Sequence, residues 1–538
     1  MRLSVGAVQM MAKLGDPEGN LERIGSLVRE VTAMGARVVA LPEAMNAGYL
    51  FDDRDHALAC GELLGGTFVR GLERVADETG AWLACGITER DGDELYNSAI
   101  LVGPERGLVA VHRKVNLAPH DRRWFSRGDG RPALADTPLG RLGLFICFDS
   151  RLPWVSRNLA LGGADLLVNC ANFFSEDKAA LHLPVRAAEN GIPVVAASKA
   201  GPERAATYQG GTCVLDADGQ TLAVLGPEVP EGIIIADVEL SVERRTQRLA
   251  GRRPNAYHVL DDPFPDTPAG RRAEAPVVIA ETVVQVAAVQ GRWADPSSLE
   301  RRLAQVEALG AGIWVLPQSP CDDRPAEPAT AERAADRSGA VLDAVARATR
   351  RAGAWCVLGT VVRDAGGPVA VHAIVNPEGE VRTSRRVHVD PATGWSPTTD
   401  EWTLAETQWG RIAVLGGADV VQPESGRCAA LLGADLLCVT AAMDAAWVRD
   451  LAVLERSSET RCHVTMANRI DGCGAPGRSV VVPLTGFPTP KPLAVGRGVA
   501  QGPSVVTGFI ELAAARNKLI TTGTHLFSAQ APSPAVVS

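Results

Sequence analysis

Gly140-Arg-Leu-Gly-Leu-Phe-Ile-Cys-Phe-Asp-Ser-Arg-Leu-Pro153 is an apolar run that delivers one cysteine, Cys147, to a turn just before a helix. A short buried run that breaks at Phe-Asp-Ser-Arg-Leu-Pro reads as strand, tight turn and helix start, with Pro153 suited to the first helical turn. The thiol is thereby presented at a strand end. Amide N–H groups that follow such a turn can bind a developing negative charge, because the first donors of a helix have no partner within it. Taken alone, a cysteine in an apolar strand is more often plain core.

Outward from this stretch, strands and helices alternate, which predicts an α/β fold. Leu3-Ser-Val-Gly-Ala-Val-Gln9 reads as a strand, and Leu21, Ile24, Leu27, Val28 and Val31 recur at helical spacing. Ala36-Arg-Val-Val-Ala-Leu-Pro42 is a buried-type strand that ends at Glu43. Another strand runs into His112-Arg-Lys114, and Ala164-Asp-Leu-Leu-Val-Asn-Cys170 leads to Asn172 and Phe173. The stretch Asp261 to Pro276 turns to Pro, Asp, Gly and Arg, a composition that reads as a connection.

Beyond it the chain repeats itself. Ala287-Ala-Val-Gln290 mirrors Gly6-Ala-Val-Gln9, and Ile313-Trp-Val-Leu-Pro317 answers Val38-Val-Ala-Leu-Pro42. Gly410-Arg-Ile-Ala-Val-Leu, Leu432-Gly-Ala-Asp-Leu-Leu437 and Glu455-Arg-Ser-Ser-Glu459 match Gly140-Arg-Leu-Gly-Leu-Phe, Gly162-Gly-Ala-Asp-Leu-Leu167 and Val185-Arg-Ala-Ala-Glu189 at one constant offset of 270 residues. Ordered matches at a fixed offset predict two copies of one domain. The expected boundaries are 1–262 for the first, 263–280 for a linker and 281–538 for the second.

In the first copy Glu43, Lys114 and Cys147 each sit at or beyond a strand end. A nucleophilic thiol needs a base for its proton, a cation or amide for the oxyanion and an acid for the leaving amine, and these residues supply that set. The ordered set resembles the nitrilase, or carbon–nitrogen hydrolase, superfamily. Its other motifs are matched by Gly48-Tyr49, Tyr96-Asn-Ser-Ala99, Arg186-Ala-Ala-Glu-Asn190 and Arg252-Arg-Pro254 with Tyr257. The resemblance implies two tandem α-β-β-α sandwich domains, packed as a pseudo-twofold intramolecular pair, with further homo-oligomerisation open. It implies Glu43 as general base and acid, Lys114 and the backbone N–H of Phe148 as oxyanion donors, and a thioester on Cys147. The family's second glutamate falls on Asp121, one methylene shorter; a solvated turn aspartate is the alternative there. Asn172, Phe173 and Tyr49 are the expected substrate-binding residues, with ordinary loop packing open for the first two. Arg151 and Glu189 match positions expected to form an internal charge pair or cap.

Cys147-Phe-Asp149 resembles the amidase and carbamoylase pattern rather than the Cys-Trp-Glu of nitrilases. The implied substrate is therefore a small carboxamide or N-carbamoyl (ureido) compound. Amide formation or acyl transfer through the same thioester, nitrile hydrolysis and a scaffold role are the alternatives. In the second copy Gln318, Arg386 and Gly417 stand where the first has Glu43, Lys114 and Cys147. An amide is no general base and glycine offers no nucleophile, so this copy is expected to be a pseudo-enzyme domain.

Composition sets the outer bounds. Net charge −9 and pI near 5.6 give no electrostatic case for nucleic acid or an anionic membrane. No apolar run reaches spanning length, and the N-terminal one is too short before Lys13 for a signal peptide, so a cytoplasmic location is expected. Eleven cysteines without a Cys-x-x-Cys pair, and nine histidines without ligand spacing, favour reduced thiols and predict no metal or organic cofactor.

Overall fold

The structure is a computed structural model that describes residues 1–175, 178–274, 283–321, 330–389, 395, 399–470, 477–484, 496–498, 502–521 and 524–526. It divides into two compact units built on residues 1–250 and 251–520. Each unit contains two six-stranded mixed sheets.

The strands of the first unit are β1 (Arg2–Gln9), β2 (Val38–Ala40), β3 (Trp82–Asp91), β4 (Glu94–Gly103), β5 (Gly107–Arg113), β6 (Ala133–Thr137), β7 (Gly140–Ile146), β8 (Leu166–Cys170), β9 (Val194–Ala197), β10 (Ala200–Glu203), β11 (Ala206–Gln209), β12 (Thr212–Leu215), β13 (Thr221–Leu225) and β14 (Gly232–Glu239). One sheet runs β14-β1-β2-β3-β4-β5 and the other β13-β12-β9-β8-β7-β6, with β10 and β11 as a separate hairpin. The centre of each sheet is parallel, β1-β2-β3 in one and β7-β8-β9 in the other, and its edges are antiparallel. Parallel strands buried on both faces read as near-continuous apolar runs, as Val38-Val-Ala40 and Leu142 to Ile146 do.

Helix Pro17–Ala33 starts where the Asp16 carboxylate accepts the Gly19 N–H and Pro17 fills the first turn. Its buried stripe, Ile24, Leu27, Val28 and Val31, packs with Phe68, Val69, Leu72 and Val75 of helix Thr67–Thr79 against Val39, Leu83, Cys85 and Ile100 of the first sheet. Each such side chain contributes about 1.5–3 kcal/mol when removed from water.

The second unit repeats the plan. Its strands are β15 (Val283–Gln290), β16 (Ile313–Gln318), β17 (Trp355–Asp364), β18 (Gly367–Val375), β19 (Val381–Arg385), β20 (Thr403–Glu406), β21 (Arg411–Gly416), β22 (Leu436–Ala441), β23 (His463–Asn468), β24 (Val480–Val482), β25 (Gly496–Arg497) and β26 (Ser504–Glu511). The sheets run β19-β18-β17-β16-β15-β26 and β20-β21-β22-β23-β24-β25. Val286, Ile313, Val315 and Val357 of one sheet share a core with Ile412, Val414 and Leu436 of the other. Asp295 caps helix Pro296–Glu307 through the Ser298 N–H, as Asp16 caps its counterpart.

Residues 251–274 belong to the second unit. The Tyr257 hydroxyl lies 2.7 Å from His388 Nε2, and Arg252 pairs with Glu424 at 3.0 Å. Within the stretch read from composition as a connection, Pro268–Glu274 is helical. Thr267 Oγ1 accepts the Gly270 N–H and Arg272 pairs with Asp435 at 2.9 Å, contacts that give this Pro- and Arg-rich segment a fixed place. Residues 275–280 lie outside the described residues. Among the described residues no helix is long and apolar enough to cross a membrane.

Candidate active site in the first unit

Parallel strands gather functional groups at their C-terminal ends, and here β2 delivers Glu43, β7 delivers Cys147 and β8 leads to Asn172. The Glu43 N–H donates to the Ala171 carbonyl at 3.2 Å, tying an end of one sheet to an end of the other. Lys114 follows β5, its own N–H bonded to the Asn97 carbonyl at 2.8 Å. Gly86 on β3 permits this convergence, since a Cβ there would lie 2.4 Å from Glu43 Cα.

The Lys114 ammonium donates to Glu43 Oε1 at 2.7 Å and contacts Asp121 Oδ2 at 2.8 Å. All three groups are almost wholly out of solvent. Asn97 Nδ2 bridges the carboxylates, donating to Glu43 Oε1 and, at 2.9 Å, to Asp121 Oδ1. Asp121 also accepts from the Tyr49 hydroxyl at 2.7 Å and the Ala118 N–H at 2.8 Å. Four donors thus converge on this carboxylate, and the solvated-turn alternative for Asp121 does not describe it. Glu43 is different: Oε1 takes both of its hydrogen bonds, and Oε2 is buried with no partner.

Electrostatics follow from burial. Desolvation pushes the Glu43 carboxyl above the ordinary glutamate range; Lys114 opposes this, and the Asp121 charge adds to it. For Lys114, burial alone would disfavour the cation, but Asp121, Glu43 and Cys147 together hold its pKa well above the ordinary lysine value. Lys114 is therefore a permanent charge at neutral pH.

Cys147 opens a 3-10 turn, Cys147–Arg151, that precedes helix Trp154–Leu161, the order of strand, turn and helix read from sequence. Its φ of +39° is unusual for a residue with a Cβ, and the Sγ approaches the Asn172 carbonyl at 3.4 Å. Asp149 holds the turn: its carboxylate accepts the Ile146 N–H at 3.2 Å and both the backbone and side-chain N–H groups of Asn116 at 2.9 and 3.0 Å. His112 Nε2 lies 2.8 Å from the same group.

Asn172 is fully buried, and neither its Oδ1 nor its Nδ2 has a hydrogen-bond partner. The Phe173 N–H donates to Ser198 Oγ at 3.0 Å. The Phe174 ring lies tilted against Tyr208, centroids 4.9 Å apart, and against Tyr49 at 6.1 Å. Phe148 falls within the Cys147 turn, Glu189 pairs with Arg186 at 3.1 Å, and Arg151 is buried. The structure therefore brings Glu43, Lys114, Asp121, Tyr49, Cys147 and Asn172 into one connected region.

Sequence reasoning did not assign roles to Asn97, His112, Asn116, Asp149 or Glu203. Glu203 accepts the Tyr49 and Leu50 N–H groups at 2.7 and 3.1 Å and the Tyr208 hydroxyl at 2.7 Å, which fixes the loop after Glu43 to the β10–β11 hairpin. Asn97 lies inside the Tyr96-Asn-Ser-Ala99 motif, which was its available signal.

In the second unit Gln318 ends β16, Arg386 follows β19 and Gly417 follows β21. Ser319 keeps the left-handed backbone of its counterpart Ala44, with φ +46° against +54°. Gly417 does not keep the positive φ of Cys147. Met443 covers it instead, its Cγ 3.2 Å from where a Cβ would be. Among the described residues no three of His, Cys, Asp and Glu are grouped to hold a metal ion.

A family model described as carbon–nitrogen hydrolase matches the chain twice, over residues 4–248 and 285–510. A protein called nitrilase from Pyrococcus abyssi is 32% identical over 243 residues, 45% of this chain and 92% of its own length. A Mus musculus omega-amidase is 32% identical over 261 residues, 45% of this chain and 91% of its own, and a human deaminated glutathione amidase is 30% identical over 286 residues, 49% and 86%. Among solved structures, an amidase from Nesterenkonia sp. aligns with a TM-score of 0.42 and 24% identity, covering 48% of this chain and 95% of its own.

Proposed function

We propose that this chain, which belongs to the carbon–nitrogen hydrolase family, cleaves the C–N bond of a small carboxamide or N-carbamoyl substrate through a thioester on Cys147. One observation carries the reading. Glu43 Oε2 is a buried, unpartnered carboxylate oxygen, while Oε1 is pinned by Lys114 and Asn97. That leaves one basic lone pair to take the thiol proton.

In the proposed sequence the Cys147 sulfur attacks the carbonyl carbon and its proton passes to Glu43 Oε2. The oxyanion is met by the Lys114 ammonium and the Phe148 N–H. The tetrahedral species collapses, the C–N bond breaks, and Glu43 returns the proton to the leaving nitrogen, releasing ammonia or an amine. Glu43 then deprotonates water, which attacks the thioester to give the carboxylic acid and the free thiol. Asp121, with four donors on it, is a positioning residue: it holds the Lys114 ammonium and the Tyr49 hydroxyl in place. The rings of Phe174, Tyr208 and Tyr49 offer the acyl part an apolar wall. The Gln318, Arg386 and Gly417 set leaves the second unit without a nucleophile or base for this reaction.

The test is a panel of amides and ureido compounds assayed for ammonia release, with intact-mass measurement of the protein during turnover. An acyl adduct that maps to Cys147 is expected. Turnover with no adduct and full activity in Cys147→Ser sinks the reading; added amine yielding a new amide in place of acid would redirect it to acyl transfer.

Asn172→Ala separates binding from folding. Its unpartnered amide is proposed to bind the substrate carboxamide, and loss of one neutral hydrogen bond raises KM about three- to tenfold with kcat little changed. The same change removes two unsatisfied buried polar atoms from the free protein, so its Tm is expected to hold or rise. A fall in Tm with unchanged KM would assign Asn172 to packing.

A further inference from the structure

The second unit keeps a cation at the place of Lys114 but lacks the neutralising glutamate. Arg386 is 6% exposed; among the described residues its only hydrogen bond is a long one, Nη2 to the Val371 carbonyl at 3.4 Å, and its Nε is buried without a partner. Among the described residues no carboxylate lies within ion-pair distance of it. The same Nη2 is 2.7 Å from where a Cβ on Gly359 would be, and that position is 3.3 Å from Gln318 Cα, so the guanidinium lies beside the residue that replaces Glu43. A second buried guanidinium, Arg469, donates to the Ser319 carbonyl at 2.6 Å, and the Ser319 hydroxyl is buried and unpartnered. Asp419, whose charge acts on Arg386, is already engaged by the Gly416 N–H at 2.6 Å and by His388 Nδ1 at 2.7 Å.

Neighbouring residues of this region are open to solvent in part. Glu43 and Asn172 are fully buried, whereas Gln318, Gly417 and Ala442, their region's counterparts, are all partly exposed. Ala442 in place of Asn removes side-chain volume there, while at Gly417 Met443 takes up part of the space that a cysteine side chain would fill. A buried cation with no counter-charge among the described residues, next to partly exposed neighbours, is stable only at a cost that an anion would remove.

We propose that the recess bounded by Gln318, Arg386 and Gly417 is a binding site for a small carboxylate, held by the Arg386 guanidinium with the Gln318 amide and Ser319 hydroxyl beside it. Burial without a paired carboxylate lowers the Arg386 pKa to about 10, which leaves it charged at neutral pH. A planar carboxylate matches the guanidinium fork. Acids of this class are what amide hydrolysis releases, but the assignment does not depend on the Cys147 chemistry, because binding is read without turnover.

Hydrogen–deuterium exchange of the full-length protein with and without saturating butyrate, at matched ionic strength, tests it. Protection is expected in peptides covering 313–321 and 355–364. Arg386→Gln is expected to weaken the titration that drives this protection at least about tenfold, the loss of a charge-assisted pair. Arg386→Lys should retain binding more weakly than the native protein, and it replaces the Gln variant if that one fails to fold. No protection in the native protein overturns the proposal. So does protection that Arg386→Gln leaves unaltered, or equal protection by chloride or phosphate, which would mark an unspecific anion effect.

Discussion

Cys147→Ala is expected to reduce ammonia release to background, a loss of at least about 10⁴-fold, because no other group in the first unit replaces the sulfur as nucleophile. Steady-state assays with an intact-mass check for absent adduct measure it; more than a few per cent residual activity would remove Cys147 from the chemistry. The backbone adds a second, independent expectation. Cys147 holds φ +39° although it carries a Cβ, a conformation that costs about 1 kcal/mol and that glycine adopts freely. Cys147→Gly should therefore be about 1 kcal/mol more stable than Cys147→Ala, the reverse of the usual order, and equally inactive. Thermal unfolding of the two variants side by side decides it. The natural counterpart is informative: Gly417 could occupy the strained conformation without penalty, yet it does not, and Met443 lies over it. The strained turn accompanies the thiol and is absent where the thiol is absent.

What could be read from the sequence was set by where the information lies along the chain. Glu43, Lys114 and Cys147 each end an apolar strand run, so their common placement at sheet ends followed from local pattern, and the constant offset exposed the second copy. Asn97 and Asp121 owe their roles to contacts across 54 and 24 residues, and those contacts exist only once β3, β4 and β5 have paired. Glu203 supports Tyr49 from 154 residues away on a hairpin with no distinctive composition. Asp149 was visible only as part of a motif, and its physical task, four contacts that hold the nucleophile turn, needed coordinates. In 261–274 composition alone could not show the helix that Pro268 opens or the pairing of Arg272 with Asp435, because a Pro at a helix start and a Pro in a connection look alike.

Glu43→Gln should cost about 10²- to 10⁴-fold in kcat, since it removes the proposed base but spares the scaffold. Glutamine can still accept the Lys114 and Asn97 hydrogen bonds at Oε1, and only the unpartnered Oε2 is exchanged for an amide that cannot take a proton. The pH dependence follows in sign. The proposed mechanism needs the ionised carboxylate, and burial raises its pKa, so kcat/KM of the native protein is expected to fall on acidification with a midpoint above the ordinary 4.5. Lys114, held well above its ordinary value, contributes no alkaline limb near neutrality. Stability runs the other way. A carboxyl whose folded pKa is raised contributes stability that is complete below its unfolded pKa and is lost as pH rises through the folded value. Native protein should therefore lose stability relative to Glu43→Gln as pH rises through that range, leaving the inactive variant equal or more stable at neutral pH. Removing one of two buried carboxylates around one ammonium also balances the cluster's charge. Paired pH–rate and pH–Tm curves for the two proteins test both halves; a variant that loses activity together with stability across the whole range would mean that Glu43 serves the fold rather than the thiol.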